Sequence, residues 1–126
     1  MDNIWVTGER GFLGKALRRI SPTVSYQPEL INGDLSGIKR IGLTHIIHTA
    51  ALCGGIQENI NRPAEFLREN TIMGLNILEA IKDFDIRFIN ISSTCAYPDI
   101  RASNFTMHPT EIWDGRNAQG DYGLGI

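Results

Sequence analysis

Apolar residues follow two rhythms along this chain. Residues 3–7 (NIWVT) and 44–49 (THIIHT) are short runs rich in β-branched residues, which predict buried strands, and residues 86–91 (IRFINI) predict another strand. Residues 23–26 and 30–35 (LINGDL) predict two further, shorter strands. Elsewhere the period lengthens. Phe12, Leu13, Ala16, Leu17 and Ile20 recur at helical spacing behind Gly11, and Ser21-Pro22 closes that helix. A longer helix is predicted from Ala64 to Lys82, with Phe66, Leu67, Ile72, Leu75, Leu78 and Ile81 mainly on one face. Gly54 and Gly55 break the chain ahead of it, Asn61 is placed to cap it, and Pro63 is tolerated in its first turn. The stretch from Pro98 to Gly120 is polar and loop-like.

Strands alternating with helices predict an α/β fold: a Rossmann-like, doubly wound parallel sheet of about five strands, forming one domain over residues 1–126. In such sheets ligands bind beyond the carboxyl ends of the strands. The residues that follow each strand therefore matter most.

Composition narrows the classes. The chain is 42% apolar and 21% charged with net charge −2, as expected of an ordinary globular domain. No basic stripe marks a nucleic-acid surface, and Lys15, Arg18 and Arg19 read as a solvated helix face. No apolar run is long enough to span a bilayer, and no charged-then-apolar leader opens the chain. Cys53 and Cys95 are too few for a disulfide framework, and no nearby histidine gives zinc-ligand spacing. A reducing cytoplasm is the expected compartment, with no metal.

The first strand runs into Gly8-Glu9-Arg10-Gly11-Phe12-Leu13-Gly14, a G-x-x-G-x-x-G run with a strand before it and an amphipathic helix after it. That context predicts a phosphate-binding turn. Gly8 permits the turn, Gly11 admits a diphosphate to backbone N–H groups, and Gly14 lets helix and strand pack closely. The helix N-terminus adds partial positive charge.

VTGERGFLG resembles the opening of the extended short-chain dehydrogenases/reductases, the NAD-dependent epimerase/dehydratase family. Three more stretches share the resemblance. INGDL is similar to the family's Gly-Asp-hydrophobic element, which implies Asp34 at the adenine with Leu35 beside the ring; a simple helix cap is the other reading of Asp34. IIHTAA resembles the family's His-x-Ala-Ala, implying that His48, Thr49, Ala50 and Ala51 line the cofactor cleft, His48 in a structural role. ENTIMGLNILEA resembles the helix whose first asparagine, here Asn70, holds the neighbouring strand and a water. NADP or NAD is the implied cofactor. Residues 25–29 (SYQPE) offer no clear carboxylate or arginine for the ribose, whereas Arg10 resembles the arginine of NADP-using members, which tips the expectation to NADP.

SSTCAYP follows the last predicted strand. The resemblance puts the family's catalytic serine at Ser93, to hydrogen-bond the substrate oxygen, and its acid/base tyrosine at Tyr122. The family's lysine stands four residues after that tyrosine; here the position is Ile126. Together with residues 50–80 and 110–125, the stretch resembles the GDP-L-fucose synthase group, epimerase–reductases of GDP-4-keto-6-deoxymannose. In that group a cysteine two residues past the serine works in epimerisation, here Cys95; an inert thiol is the equal alternative. The matched motifs belong to the front part of the family's usual length, so the domain is expected to be incomplete and the substrate domain absent. An uncovered sheet face, exposing apolar residues, is expected in consequence. Two functions stay open: the cofactor-binding part of a nucleotide-sugar (GDP-sugar) epimerase/reductase, weak or inactive alone, or a non-catalytic nucleotide-binding module. Either can form a homodimer or pair with a full-length homologue.

Overall fold

The computed structural model describes residues 2–93. Its elements are β1 (Ile4–Thr7), α1 (Phe12–Ile20), β2 (Thr23–Val24), α2 (Ile38–Ile41), β3 (His45–His48), α3 (Ile56–Asn61), α4 (Pro63–Ile81) and β4 (Arg87–Asn90). The described residues fall into two compact units. One comprises the chain up to Ala51 together with Thr71–Ile91; the other contains Leu52–Asn70.

The first unit holds a parallel sheet in the order β2-β1-β3-β4. Trp5, Ile46 and Phe88 lie side by side across β1, β3 and β4. Alternation along a strand sends this row to one face. There Trp5 and Ile46 join Leu35, Ile38, Leu43, Ile77 and Ile81 in the core, drawn from the sheet, α2, the segments flanking α2, and α4. Trp5, Ile38, Ile46 and Ile77 are almost fully buried; burial of a large apolar side chain contributes about 1.5–3 kcal/mol. Trp5 also satisfies its indole N–H, which donates to the Tyr26 carbonyl at 2.7 Å, and its ring meets Tyr26 edge-on. On the opposite face Val6 is buried, while Ile89 and, just beyond β4, Ile91 are 40% and 46% exposed. α1 packs against β1.

The predicted strands at 3–7, 44–49 and 86–91 and the helix behind Gly11 are present, each trimmed by a residue or two. Residues 23–26 contribute only a two-residue strand. Residues 30–35 form turns, not a strand, so the described residues carry four strands. The cause lies in side chains that take over the backbone's hydrogen bonds. Glu29 accepts the N–H groups of Ile31 and Asn32 at 2.8 and 2.6 Å. Asn76 Nδ2, from α4, donates to the carbonyls of Leu30 and Ile31 at 2.9 and 2.8 Å. A backbone so satisfied does not need a neighbouring strand.

In the second unit the expected cap is also corrected. Asn61 is the last residue of α3, a helix not expected from the sequence, and α4 starts directly at Pro63. Pro63 has no N–H to lose at a first helical position, so the two helices abut across Arg62 alone. Asn59, buried, donates through Nδ2 to the carbonyls of Gly54 and Gly55 at 3.3 and 3.0 Å and closes the turn before α3.

Candidate functional site

The strand order reverses between β1 and β3, because the chain leaves β1 for β2 on one side and returns to β3 on the other. That reversal opens a crevice at the carboxyl ends of β1 and β3, the usual ligand position in open parallel sheets. Thr7-Gly8 ends one wall of it and His48-Thr49-Ala50 the other.

Gly8 has φ +67°, and a Cβ there would stand 2.8 Å from Ala50 Cα, so only glycine fits. Its carbonyl accepts the Gly11 N–H at 2.8 Å, closing the turn. A Cβ on Gly14 would lie 2.3 Å from the same carbonyl oxygen, so the helix can sit this close only with glycine there. α1 then begins at Phe12 with no side chain capping it and no acidic residue in its first turn. Its first N–H groups are therefore left for an anion. Phe12 and Leu13 are exposed beside them.

Arg10 is exposed on the same turn and forms no ion pair among the described residues. Its neighbour Glu9 is the opposite case. Only 6% exposed, its carboxylate meets Arg18 Nη1 at 3.1 Å and accepts a hydrogen bond from Gln27 Nε2. Arg18 is thus more than a solvated helix residue: it neutralises a buried charge in the turn. Sequence reasoning missed Glu9; an acidic residue inside the glycine run with a cation two helical turns into α1 was the available signal.

Thr7 ties the two walls together. Its hydroxyl accepts the N–H groups of Thr49 and Ala50 at 3.1 and 3.0 Å and lies 2.7 Å from His48 Nδ1. Thr49 Oγ1 donates to the Thr7 carbonyl at 2.6 Å. His48 is buried and stacked on Phe88, and burial lowers its pKa below 6.5. Ala50 is half-buried and Ala51 exposed.

Asp34 is exposed, and its carboxylate accepts the backbone N–H and the hydroxyl of Ser36, both at 2.8 Å, which lowers its pKa. These bonds close a turn at Ser36 and do not cap α2, whose N-cap is Gly37 with no side-chain hydrogen bond. Leu35 is built into the core, 6% exposed. In the second unit Asn70 holds Leu52 by both ends of its amide, Oδ1 accepting the N–H at 2.7 Å and Nδ2 donating to the carbonyl at 3.2 Å. The residue it holds, Leu52, follows β3 in the chain and is not part of the strand. Ser93 stands three residues beyond the end of β4, half-buried. Cys95, Tyr122 and Ile126 lie outside the described residues. No group of three or more His, Cys, Asp or Glu among the described residues is placed to hold a metal. No helix among them is long and apolar enough to cross a membrane.

A parallel sheet with flanking helices and a glycine turn at its switch point defines a Rossmann-like domain. The chain belongs to the NAD dependent epimerase/dehydratase family, whose model matches residues 4–118. Among individual proteins, it is 41% identical over 106 residues to a GDP-L-colitose synthase of Yersinia pseudotuberculosis, covering 75% of this chain and 34% of that one. A GDP-L-fucose synthetase from Naegleria fowleri, solved bound to NADP, is 27% identical with a TM-score of 0.69 over 98% of this chain and 44% of its own. A GDP-mannoheptose C4 reductase from Campylobacter jejuni, solved with NADP bound, shares the fold with a TM-score of 0.76 at 21% identity, over 98% of this chain and 40% of that one. The chain thus spans well under half the length of each of these three relatives.

Proposed function

We propose that this chain is the cofactor-binding part of a nucleotide-sugar epimerase/reductase of the GDP-L-fucose synthase kind, and that it binds NADP(H). One observation carries the reading: the Gly8 backbone pressed against Ala50, beside a helix N-terminus without a cap. The uncapped helix N-terminus offers its free N–H groups and partial positive charge to a diphosphate. Gly8, Gly11, Phe12 and Leu13 hold the diphosphate, and unpaired Arg10 pairs with a 2′-phosphate. Asp34 and the backbone around Leu35 border the adenine. Thr49, Ala50 and Ala51 line the cleft, and Asn70 holds the segment just after it. The cofactor, when bound, supplies hydride to a 4-keto GDP-sugar; likeness to named GDP-sugar enzymes supports that substrate class.

Ser93 hydrogen-bonds the substrate oxygen, and Tyr122 donates the proton that accompanies reduction. Cys95 exchanges a proton at carbon in epimerisation. A tyrosine with pKa about 10 needs a nearby cation to give phenolate near neutral pH, and Ile126 supplies none. Turnover by the chain alone is accordingly orders of magnitude below that of a lysine-bearing relative. Ile126 also favours the second reading, a nucleotide-binding module without chemistry that self-associates or pairs with a complete homologue in the cytoplasm.

Calorimetric titration with NADPH and NADH tests the binding. NADPH is expected to bind more tightly, Arg10→Ala to erase that preference, and Gly11→Val to abolish binding. No binding at millimolar cofactor rejects the reading. Assay with GDP-4-keto-6-deoxymannose, alone and mixed with a full-length homologue, separates the two functions. Turnover by the chain alone that survives Tyr122→Phe unchanged removes Tyr122 from the chemistry.

A further inference from the structure

The Thr7 hydroxyl has one proton to give and two lone pairs to fill. The N–H groups of Thr49 and Ala50, at 3.1 and 3.0 Å, fill both lone pairs. The remaining neighbour is His48 Nδ1 at 2.7 Å. The only arrangement that satisfies all three contacts has the hydroxyl proton pointing at Nδ1. Nδ1 must then be a bare acceptor, and the ring proton must sit on Nε2. An Nδ1–H tautomer or an imidazolium would point a proton at an oxygen already filled by two donors. Phe88, stacked on the ring with centroids 5.9 Å apart, braces its plane.

The same residue governs the turn above it. Thr7 immediately precedes Gly8, and its partners immediately precede or include Ala50, the residue that Gly8 abuts. A second bond, Thr49 Oγ1 to the Thr7 carbonyl at 2.6 Å, doubles the tie. We propose that Thr7 and His48 are positioning residues of the dinucleotide site: the Thr7 hydroxyl fixes His48 as its Nε2–H tautomer, and this closed three-way bond holds the glycine turn in register with Ala50. The inference rests on the reading of that turn as a dinucleotide site, but its first tests need no ligand.

Long-range nitrogen–proton NMR on the histidine-labelled chain, without cofactor, reads the tautomer directly. The chain has three histidines, so His48→Gln assigns the signal by its loss. The expected result is a neutral Nε2–H ring at neutral pH. An Nδ1–H tautomer or an imidazolium there overturns the proposal, whatever the chain binds. Thr7→Val keeps the shape and removes the hydroxyl, while Thr7→Ser keeps the hydroxyl. Amide exchange at Thr49 and Ala50 is expected to speed up about tenfold or more in the valine variant, because each loses its acceptor. The serine variant is expected to restore both protection and the tautomer signature. Unchanged exchange in a folded valine variant overturns the proposal; should that variant fail to fold, the wild-type tautomer and the serine variant still decide it. NADPH titration then adds the link to binding, with affinity expected to fall about tenfold or more in Thr7→Val and to recover in Thr7→Ser. A valine variant with the wild-type NADPH affinity overturns the positioning role. A wild-type chain that binds no NADPH at all overturns both the positioning role and the dinucleotide reading, whereas a failed tautomer test in a chain that binds NADPH overturns the positioning role alone.

Discussion

Glu9, just before α1, and Arg18, in its last turn, face each other at 3.1 Å, the carboxylate buried and the guanidinium 44% exposed. Removing either partner is not symmetrical. Arg18→Ala leaves a buried charge held, among the described residues, only by the Gln27 amide, and stranding a buried charge is costly. Glu9→Gln leaves an exposed cation that water solvates. Denaturant melts are expected to show Arg18→Ala as the more destabilising change. The double variant is expected to recover part of the loss, with a coupling of about 1–2 kcal/mol given Arg18's exposure. Additive losses would show that the pair is not coupled.

The glycines of the turn are expected to rank by what a methyl would strike. At Gly14 it meets a carbonyl oxygen at 2.3 Å; at Gly11 the nearest such atom is 3.2 Å away. Gly14→Ala is expected to cost at least about 1–3 kcal/mol, the range for overpacking, and Gly11→Ala little. Thermal unfolding checks the order. Equal losses would mean that the helix does not sit as close to Gly8 as described.

Burial of His48 makes acid unfavourable to the fold. Its folded pKa lies below 6.5. Above that value both folded and unfolded chains keep the ring neutral, and its contribution to stability is whole. As pH falls below about 6.5 the unfolded chain binds a proton that the folded chain refuses, so stability drops until the folded pKa is passed. Urea midpoints are expected to decline from about pH 7 to pH 5.5, and His48→Gln is expected to flatten that decline. A slope that persists unchanged in the variant would assign it to another group.

The strands that carry this site were legible because each is a short run rich in β-branched residues: NIWVT and THIIHT announce buried parallel strands, and IRFINI a third whose side chains are largely exposed. The glycine spacing announced the turn. LINGDL misled for a physical reason. Its apolar residues satisfy a strand template, yet what its backbone does is decided by Glu29 just before it and by Asn76 far along α4. No local window contains Asn76. α3 was hidden by Gly54-Gly55, read as a break, although Asn59 uses those glycine carbonyls to start the helix. Glu9 was passed over because charge in a glycine run suggests exposure, and only the fold brings Arg18 and Gln27 to it.

The span of the Thr7 bonds sets an order of events for a newborn chain. The partners of its hydroxyl lie 41 to 43 residues downstream, whereas the Gly8–Gly11 turn and α1 are assembled from near neighbours. Local pieces can organise while the chain is still emerging, but closing so long a loop waits on translation and on the entropy of bringing distant ends together. The glycine turn is therefore shaped early and locked late. A ribosome stalled before Ala50 would present a helix and a loop of the right outline that have no second wall.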